Sequence, residues 1–282
     1  MRFPIYQVDA FTSVVFAGNP AAVMMCEKPM PKWMMQKLAD ENHLSETAFL
    51  YAQEGGFNLR WFTPTTEVNL CGHATLASAH VLFSENLIST NTISFFTKSG
   101  ELTVTRASTQ FGDGYEMNFP AKTFVHDTAP DYVLERLGFE PIETFYAEDN
   151  WVFVCSEQQV REFDRSFIDL EGKHGVILTA QSNLDDLDIV SRYFGFKSLG
   201  IEEDPVTGSA HCAIVRYWTA VLDKTLLVCE QASARGGFME CDLRDDRVLL
   251  RGVAATFMKG ECFLDAIEQT DTDADQQGPS CE

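Results

Sequence analysis

The chain has 282 residues, 45% hydrophobic and 22% charged, an ordinary globular composition for two domains or one large one. Its 42 acidic and 21 basic residues leave a net charge of −21, which argues against the basic face that nucleic acid or anionic lipid requires. No run of about 18 apolar residues is present to cross a membrane, and Met1 to Tyr6 lacks the apolar stretch of a signal peptide, so a cytoplasmic location is expected.

Residues 3–11 alternate apolar and polar and read as a strand. Gly18-Asn19-Pro20 is a strong breaker, followed by a short apolar strand from Ala21 to Met25. Trp33, Met34, Leu38 and Ala39 recur at helical spacing, so Pro31 to Asn42 is expected to be a helix with Pro31 near its first turn. Ser45 to Leu50 and Phe57 to Phe62 read as strands, and Gly72 opens a helix to about Phe83. Residues 91–106 and 111–118 are expected to form a hairpin around Phe111-Gly112-Asp113-Gly114. The chain then begins again near Asn118-Phe119-Pro120. Strands are expected near 143–155 and 174–180, and another ends at Ser191 to Phe194. Gly208 opens a second helix through Val221, and 225–262 reads as strands and turns. From Asp265 onward the sequence is acidic and nearly devoid of apolar residues, which reads as disorder.

Two stretches resemble each other. Arg60-Trp61-Phe62 leads to Glu67 and to Gly72-His73-Ala74; Arg192-Tyr193-Phe194 leads to Asp204 and to Gly208-Ser209-Ala210. The order and spacing point to duplication. A helix start offers free N–H groups and a partial positive charge. Two such starts facing each other across a cleft would hold a carboxylate without a basic side chain.

Glu46 lies where a helix gives way to an apolar strand. It is either an exposed strand-end carboxylate or, if buried, a general acid or base. His73 sits at a helix start, where the dipole disfavours imidazolium and a neutral ring is expected; it either exchanges protons or packs. Asp204 precedes the second helix and could orient His73, bind an amine, or serve the helix start. Ser209 mirrors His73, and Thr207 mirrors Cys71. A racemase with one thiol on each face would need Cys at both places, so that chemistry is excluded. The eight cysteines show no Cys-x-x-Cys spacing, and no structural metal site is expected. No phosphate loop, dinucleotide fingerprint, Gly-x-Ser-x-Gly or His-Glu-x-x-His string occurs.

Five blocks in order resemble the phenazine-biosynthesis PhzF-like family: Val8 to Thr12, Phe16 to Val23, Ser45-Glu46-Thr47, Arg60 to Pro64 with Cys71 to Thr75, and Glu203 to His211. The resemblance implies an α+β protein of the diaminopimelate-epimerase-like fold: two pseudo-symmetric halves, each a curled, mostly antiparallel sheet around a central helix. The halves would span 1–118 and 119–265, leaving 266–282 as the acidic tail. It implies a homodimer and an isomerase that shifts a proton on a small carboxylate with no cofactor and no metal. Glu46 would be the acid/base, with His73 and Asp204 beside it and Gly72, Gly208 and Ser209 binding substrate. Two other readings stay open: a binding module that has lost catalysis, and a lyase or dehydratase using the Cys71 thiolate. The residues do not identify the substrate.

Overall fold

A computed structural model describes residues 1–164, 175–195 and 203–264; the acidic segment 266–282 lies outside these. The first part of the chain runs β1 (Arg2–Ala10), β2 (Asn19–Met25), α1 (Lys32–Asn42), β3 (Glu46–Gln53), β4 (Gly56–Phe62), β5 (Glu67–Val68), α2 (Gly72–Ser84), β6 (Thr92–Thr97), β7 (Gly100–Thr109) and β8 (Gly112–Pro120). The second runs β9 (Val125–His126), α3 (Asp131–Leu137), β10 (Glu143–Ala147), β11 (Asn150–Val154), α4 (Glu157–Glu162), β12 (Gly175–Gln181), β13 (Ile189–Phe194), α5 (Gly208–Leu222), β14 (Leu226–Gln231), β15 (Gly237–Arg244), β16 (Arg247–Gly252) and β17 (Ala254–Phe263).

The duplication read from the sequence is written in the strand pairing. In the first part β1–β2 is antiparallel, β2–β3 parallel, β3–β4 antiparallel, β4–β6 parallel, and β6–β7–β8 antiparallel. The second repeats this series through β10–β11, β11–β12, β12–β13, β13–β14 and β14–β15–β16. Even the register agrees. Phe57 faces Phe95 and Ile189 faces Cys229, each three residues before the arginine of its repeat. The two parts are joined where β8 pairs with β16. The strand after each joint then crosses over, β9 onto β10 and β17 onto β1.

Both long inner helices are made of small and apolar residues on nearly every side, which suits a helix enclosed by sheet and not one lying on a surface. From His73 to Phe83 only His80 escapes full burial in α2, which packs on β1, β2 and β3. Its counterpart α5 packs on β14, β15 and β16. Ala74, Ala77, Ala210 and Ala213 let the strands come close around these helices.

Three expectations change. Residues 91–106 are two strands, because the chain turns at Lys98-Ser99 and β6 pairs back on β7. The next turn lies at Gln110-Phe111, with Gly112 to Gly114 already in β8. The first helix starts at Lys32, one residue later than expected, with Pro31 just before it in the extended conformation at φ −58 and ψ 141. The short helices α3 and α4 had no clear signal; they cover a separate apolar cluster around Val133, Trp151 and Leu178.

Candidate active site

The repeat brings the starts of α2 and α5 together. A side-chain carbon placed on Gly72 would lie 3.8 Å from the Cα of Gly208, an approach that two glycines permit. No side chain caps either helix, so the N–H groups of the first turns remain available to a ligand. A cavity of about 190 Å³ lies there. Glu46, His73, Tyr193, Asp204 and Ser209 line it, with Phe119 among the apolar walls.

Each polar residue arrives by a local structural cause. His43 ends α1 in the left-handed conformation (φ 50), and three residues later Glu46 opens β3, buried and aligned with Ala21 of β2. Gly18 makes the turn into β2 at φ 65. A side-chain carbon there would sit 2.2 Å from the Ala10 carbonyl oxygen, so only glycine fits. That turn delivers Asn19, which is fully buried. Asp204 is held by a bridge to Tyr193 of β13.

Asn19 ties the site together. Its Nδ2 lies 2.7 Å from Asp204 Oδ1, 2.9 Å from the Val206 carbonyl oxygen and 3.2 Å from His73 Nδ1. Thr207 Oγ1 donates to Asp204 Oδ2 at 2.5 Å. Gln231 donates to the Asp204 carbonyl and accepts the Thr207 N–H. Both Asp204 carboxylate oxygens thus accept hydrogen bonds, an arrangement that favours the ionised form.

His73 lies between Glu46 and Cys71. Nε2 is 3.2 Å from Glu46 Oε2, but the two are out of line for a hydrogen bond, and both atoms are buried without another partner. Nδ1 lies 3.5 Å from Cys71 Sγ. The Asn19 amide nitrogen also lies near Nδ1, but its two hydrogens point at Asp204 Oδ1 and the Val206 carbonyl at shorter range.

Burial opposes charge on His73, yet its sulfur and carboxylate neighbours Cys71 and Glu46 outweigh burial and hold its pKa well above the usual value. This direction is opposite to the neutral ring expected from the helix dipole. Burial, and then Glu46, push the Cys71 thiol up to about 11. At neutral pH it is a thiol, and Glu46 is left as the group that favours imidazolium. Burial raises Asp204 to about 6, with His73 pulling it down and Glu46 pushing it up.

The structure also corrects the repeat. Arg60 grips Glu67 with two bonds of 2.7 and 2.9 Å. Arg192 grips Glu203, not Asp204, with bonds of 2.7 and 3.0 Å. Each guanidinium lies over the phenylalanine two residues on, Phe62 or Phe194. Trp61 pairs with Val68, as Tyr193 does with Asp204. Glu203 is thus the twin of Glu67, and Asp204 is the twin of Val68.

Glu46, His73, Asp204, Gly72, Gly208 and Ser209 all meet at this one cavity. Sequence reasoning passed over Asn19, Tyr193 and Gln231. Asn19 sat in a string that reads as a turn, and Gln231 joins from 27 residues beyond Asp204 in the chain.

Comparison with known proteins follows this geometry. The family described as phenazine biosynthesis-like protein matches residues 8–260. A protein of Pseudomonas aeruginosa named as an uncharacterized isomerase is 44% identical over 270 residues, covering 94% of this chain and 100% of that one. The crystal structure of a PhzF-family phenazine biosynthesis protein from Enterococcus faecalis superposes with a TM-score of 0.86 at 42% identity, over 94% of this chain and 100% of that one. A hydroxyproline epimerase from Agrobacterium vitis, at 10% identity and a TM-score of 0.60 over 94% of both chains, shares the fold alone. The α+β, epimerase-like architecture expected from the sequence is the observed one.

Proposed function

The chain belongs to the phenazine biosynthesis-like family, and from that membership we propose that it is an isomerase shifting a proton on a small carboxylate, cyclic or amino carboxylates included, with Glu46 as the general acid/base. The observation that carries the reading is one-sidedness. Thr47 faces Phe62 and Val176 faces Phe194, so the residue before each pair is equivalent, and it is Glu46 in one half and Gly175 in the other. Cys71 and Thr207 are likewise unequal twins. At this position a carbon acid bound between the halves meets a carboxylate from the first half only; Asp204, the carboxylate of the second half, has both oxygens taken up by Asn19 and Thr207. That suits removal and return of a proton on the same face, and not the two-sided exchange of a racemase.

In this mechanism the substrate carboxylate lies against the starts of α2 and α5, where Gly72 and Gly208 expose backbone N–H groups and Ser209 adds a hydroxyl. Glu46 takes a proton from one carbon, and the electron pair moves through the conjugated system toward the carboxylate. The charge that develops is met by the helix N–H groups and by His73. Glu46 then returns the proton to another carbon. Asp204, through Asn19, fixes the His73 ring. Glu46, His73 and Asp204 are buried where they line the cavity, which strengthens these fields relative to water. The side chains in place suffice for such a shift, so the reading includes neither cofactor nor metal in turnover. The Cys71-dependent lyase is less well supported, because a thiol held near 11 is not a thiolate at neutral pH.

The reading includes halves at 1–118 and 119–265, a homodimer and a cytoplasmic location. Among the described residues no helix is long and apolar enough to cross a membrane. The test is proton NMR in D₂O with a panel of small cyclic and amino carboxylates. Deuterium entering at carbon, with product isomeric to substrate, supports the isomerase. Binding without exchange across the panel would favour a binding module instead.

A further inference from the structure

We propose that Glu46, Cys71 and His73 form a capture site for a thiophilic divalent cation of the zinc type, and that filling it shuts off proton transfer. One ligand atom from each of the three residues lies within 4.8 Å of the others, and all three residues are buried. The set is a thiol, an imidazole and a carboxylate, the mixed donor set that zinc takes in tetrahedral sites with one position left open. Ligand atoms around tetrahedral zinc lie about 3.5 Å apart for sulfur and nitrogen and about 3.3 Å apart for nitrogen and oxygen. The protein holds Cys71 Sγ 3.5 Å from one His73 nitrogen and Glu46 Oε2 3.2 Å from the other.

A second observation points the same way. His73 Nε2 and Glu46 Oε2 are buried 3.2 Å apart with no aligned hydrogen bond to each other or to any other group, and a bound ion would engage a lone pair on each residue. The two contacts use opposite nitrogens of the ring, so capture requires the imidazole to turn until one nitrogen meets the ion. Charge balance favours the bound state. A divalent ion with one thiolate and one carboxylate is a neutral centre, which a buried site tolerates better than an isolated charge. Binding releases two protons to solvent, the Cys71 thiol proton and the proton on the His73 nitrogen that meets the ion. All three residues line the cavity, from which water or a substrate carboxylate would complete the shell.

The regulatory consequence rests on Glu46 and His73 carrying the proton transfer, since the ion takes those lone pairs. Binding itself is read without turnover. Chelator-treated full-length protein is titrated with cobalt(II) chloride and followed by absorption, with zinc chloride added at the end. Expected are tetrahedral cobalt bands and a thiolate-to-cobalt charge-transfer band, saturating at one ion per chain and erased by zinc. Cys71→Ser should lose the charge-transfer band, and thermal melting shows whether the variant is folded. Zinc should raise the Tm of wild type and not of Cys71→Ser. Absence of the band in wild type overturns the proposal, as does a band that survives in folded Cys71→Ser, which would place the ion on other cysteines. Neither result bears on the isomerase reading, and failure of that reading leaves the band in place.

Discussion

Glu46 on β3 and Gly175 on β12 occupy the same register position in the two halves, and only one of them can carry a proton. Gly175 has no room for more. A side-chain carbon there would fall 2.2 Å from Asn150 Oδ1 and 2.8 Å from the Tyr193 hydroxyl. Asn150 and Tyr193 fill the space that a side chain would need at the position equivalent to Glu46.

The paired helix starts should matter to binding more than to folding. A methyl at Gly72 meets its neighbours at ordinary contact distances, 3.8 Å and beyond. Gly72→Ala is therefore expected to keep its Tm near wild type while crowding the N–H groups offered to the carboxylate. Loss of one such charge-assisted bond is worth about 1.5–3 kcal/mol, or roughly a tenfold to hundredfold rise in KM. Steady-state kinetics beside a melting curve would check this. An unchanged KM would place the carboxylate elsewhere.

Asp204 gives the pH dependence. Its carboxylate must be ionised to accept from both Thr207 and Asn19, and its folded pKa of about 6 stands above the ordinary 3.8. Activity should fall as pH drops through about 6, with His73, Glu46 and Tyr193 among the other ionisable side chains facing Asp204 across the cavity. The stability sign is opposite to that of a salt-bridged acid. The folded state binds the proton more tightly, so the favourable contribution is present at low pH and is lost as pH rises from about 4 through about 6. Asp204→Asn should lack this limb in kcat/KM. Relative to wild type, the variant should gain stability across that window, as read by urea unfolding at several pH values.

Much of this was legible in the sequence. The two Gly-led helices and the Arg-aromatic-Phe strands carry strong local signals, and the duplication follows from their order; Glu46 stood out through the family resemblance and not through its local sequence. The pairing of Arg192 with Glu203 was not legible. Glu203 and Asp204 are adjacent, and only strand register decides which one turns to the arginine and which to the cavity. Asn19 escaped for a related reason. A Gly-Asn-Pro string advertises a turn, while the groups around its amide come from positions 73, 204 and 206. The His73 charge state could not be read from the helix start alone, because the Glu46 carboxylate beside it comes from another strand.

The two arginine clamps should differ in worth. Arg192 and Glu203 are both buried, and Arg192 also donates to the Val160 and Phe163 carbonyls. Arg60 is a quarter exposed, and its partner Glu67 keeps Lys98 if the arginine is removed. Arg192→Leu is expected to cost about 3–5 kcal/mol, as for a buried pair broken on one side. Arg60→Leu should cost clearly less. Chemical denaturation of the two variants would show the order, and equal losses would mean that burial does not set it.

Asn19 should act through position and not through contact with substrate. Asn19→Ala removes the tether between Asp204 and His73, so kcat is expected to fall with KM nearly unchanged, and the acidic limb assigned to Asp204 should move. A uniform loss of folded protein without a shifted limb would mark Asn19 as structural only.

The most direct measurement compares wild type and Glu46→Gln by proton NMR in D₂O, on the carboxylate that wild type exchanges fastest. Glutamine keeps the shape of the side chain and cannot carry the proton. Deuterium incorporation should fall by at least about a hundredfold, the scale of a lost general acid/base, while the Tm stays close to wild type. Exchange that persists at the wild-type rate in folded Glu46→Gln would contradict the assignment of Glu46 and the one-sided mechanism built on it.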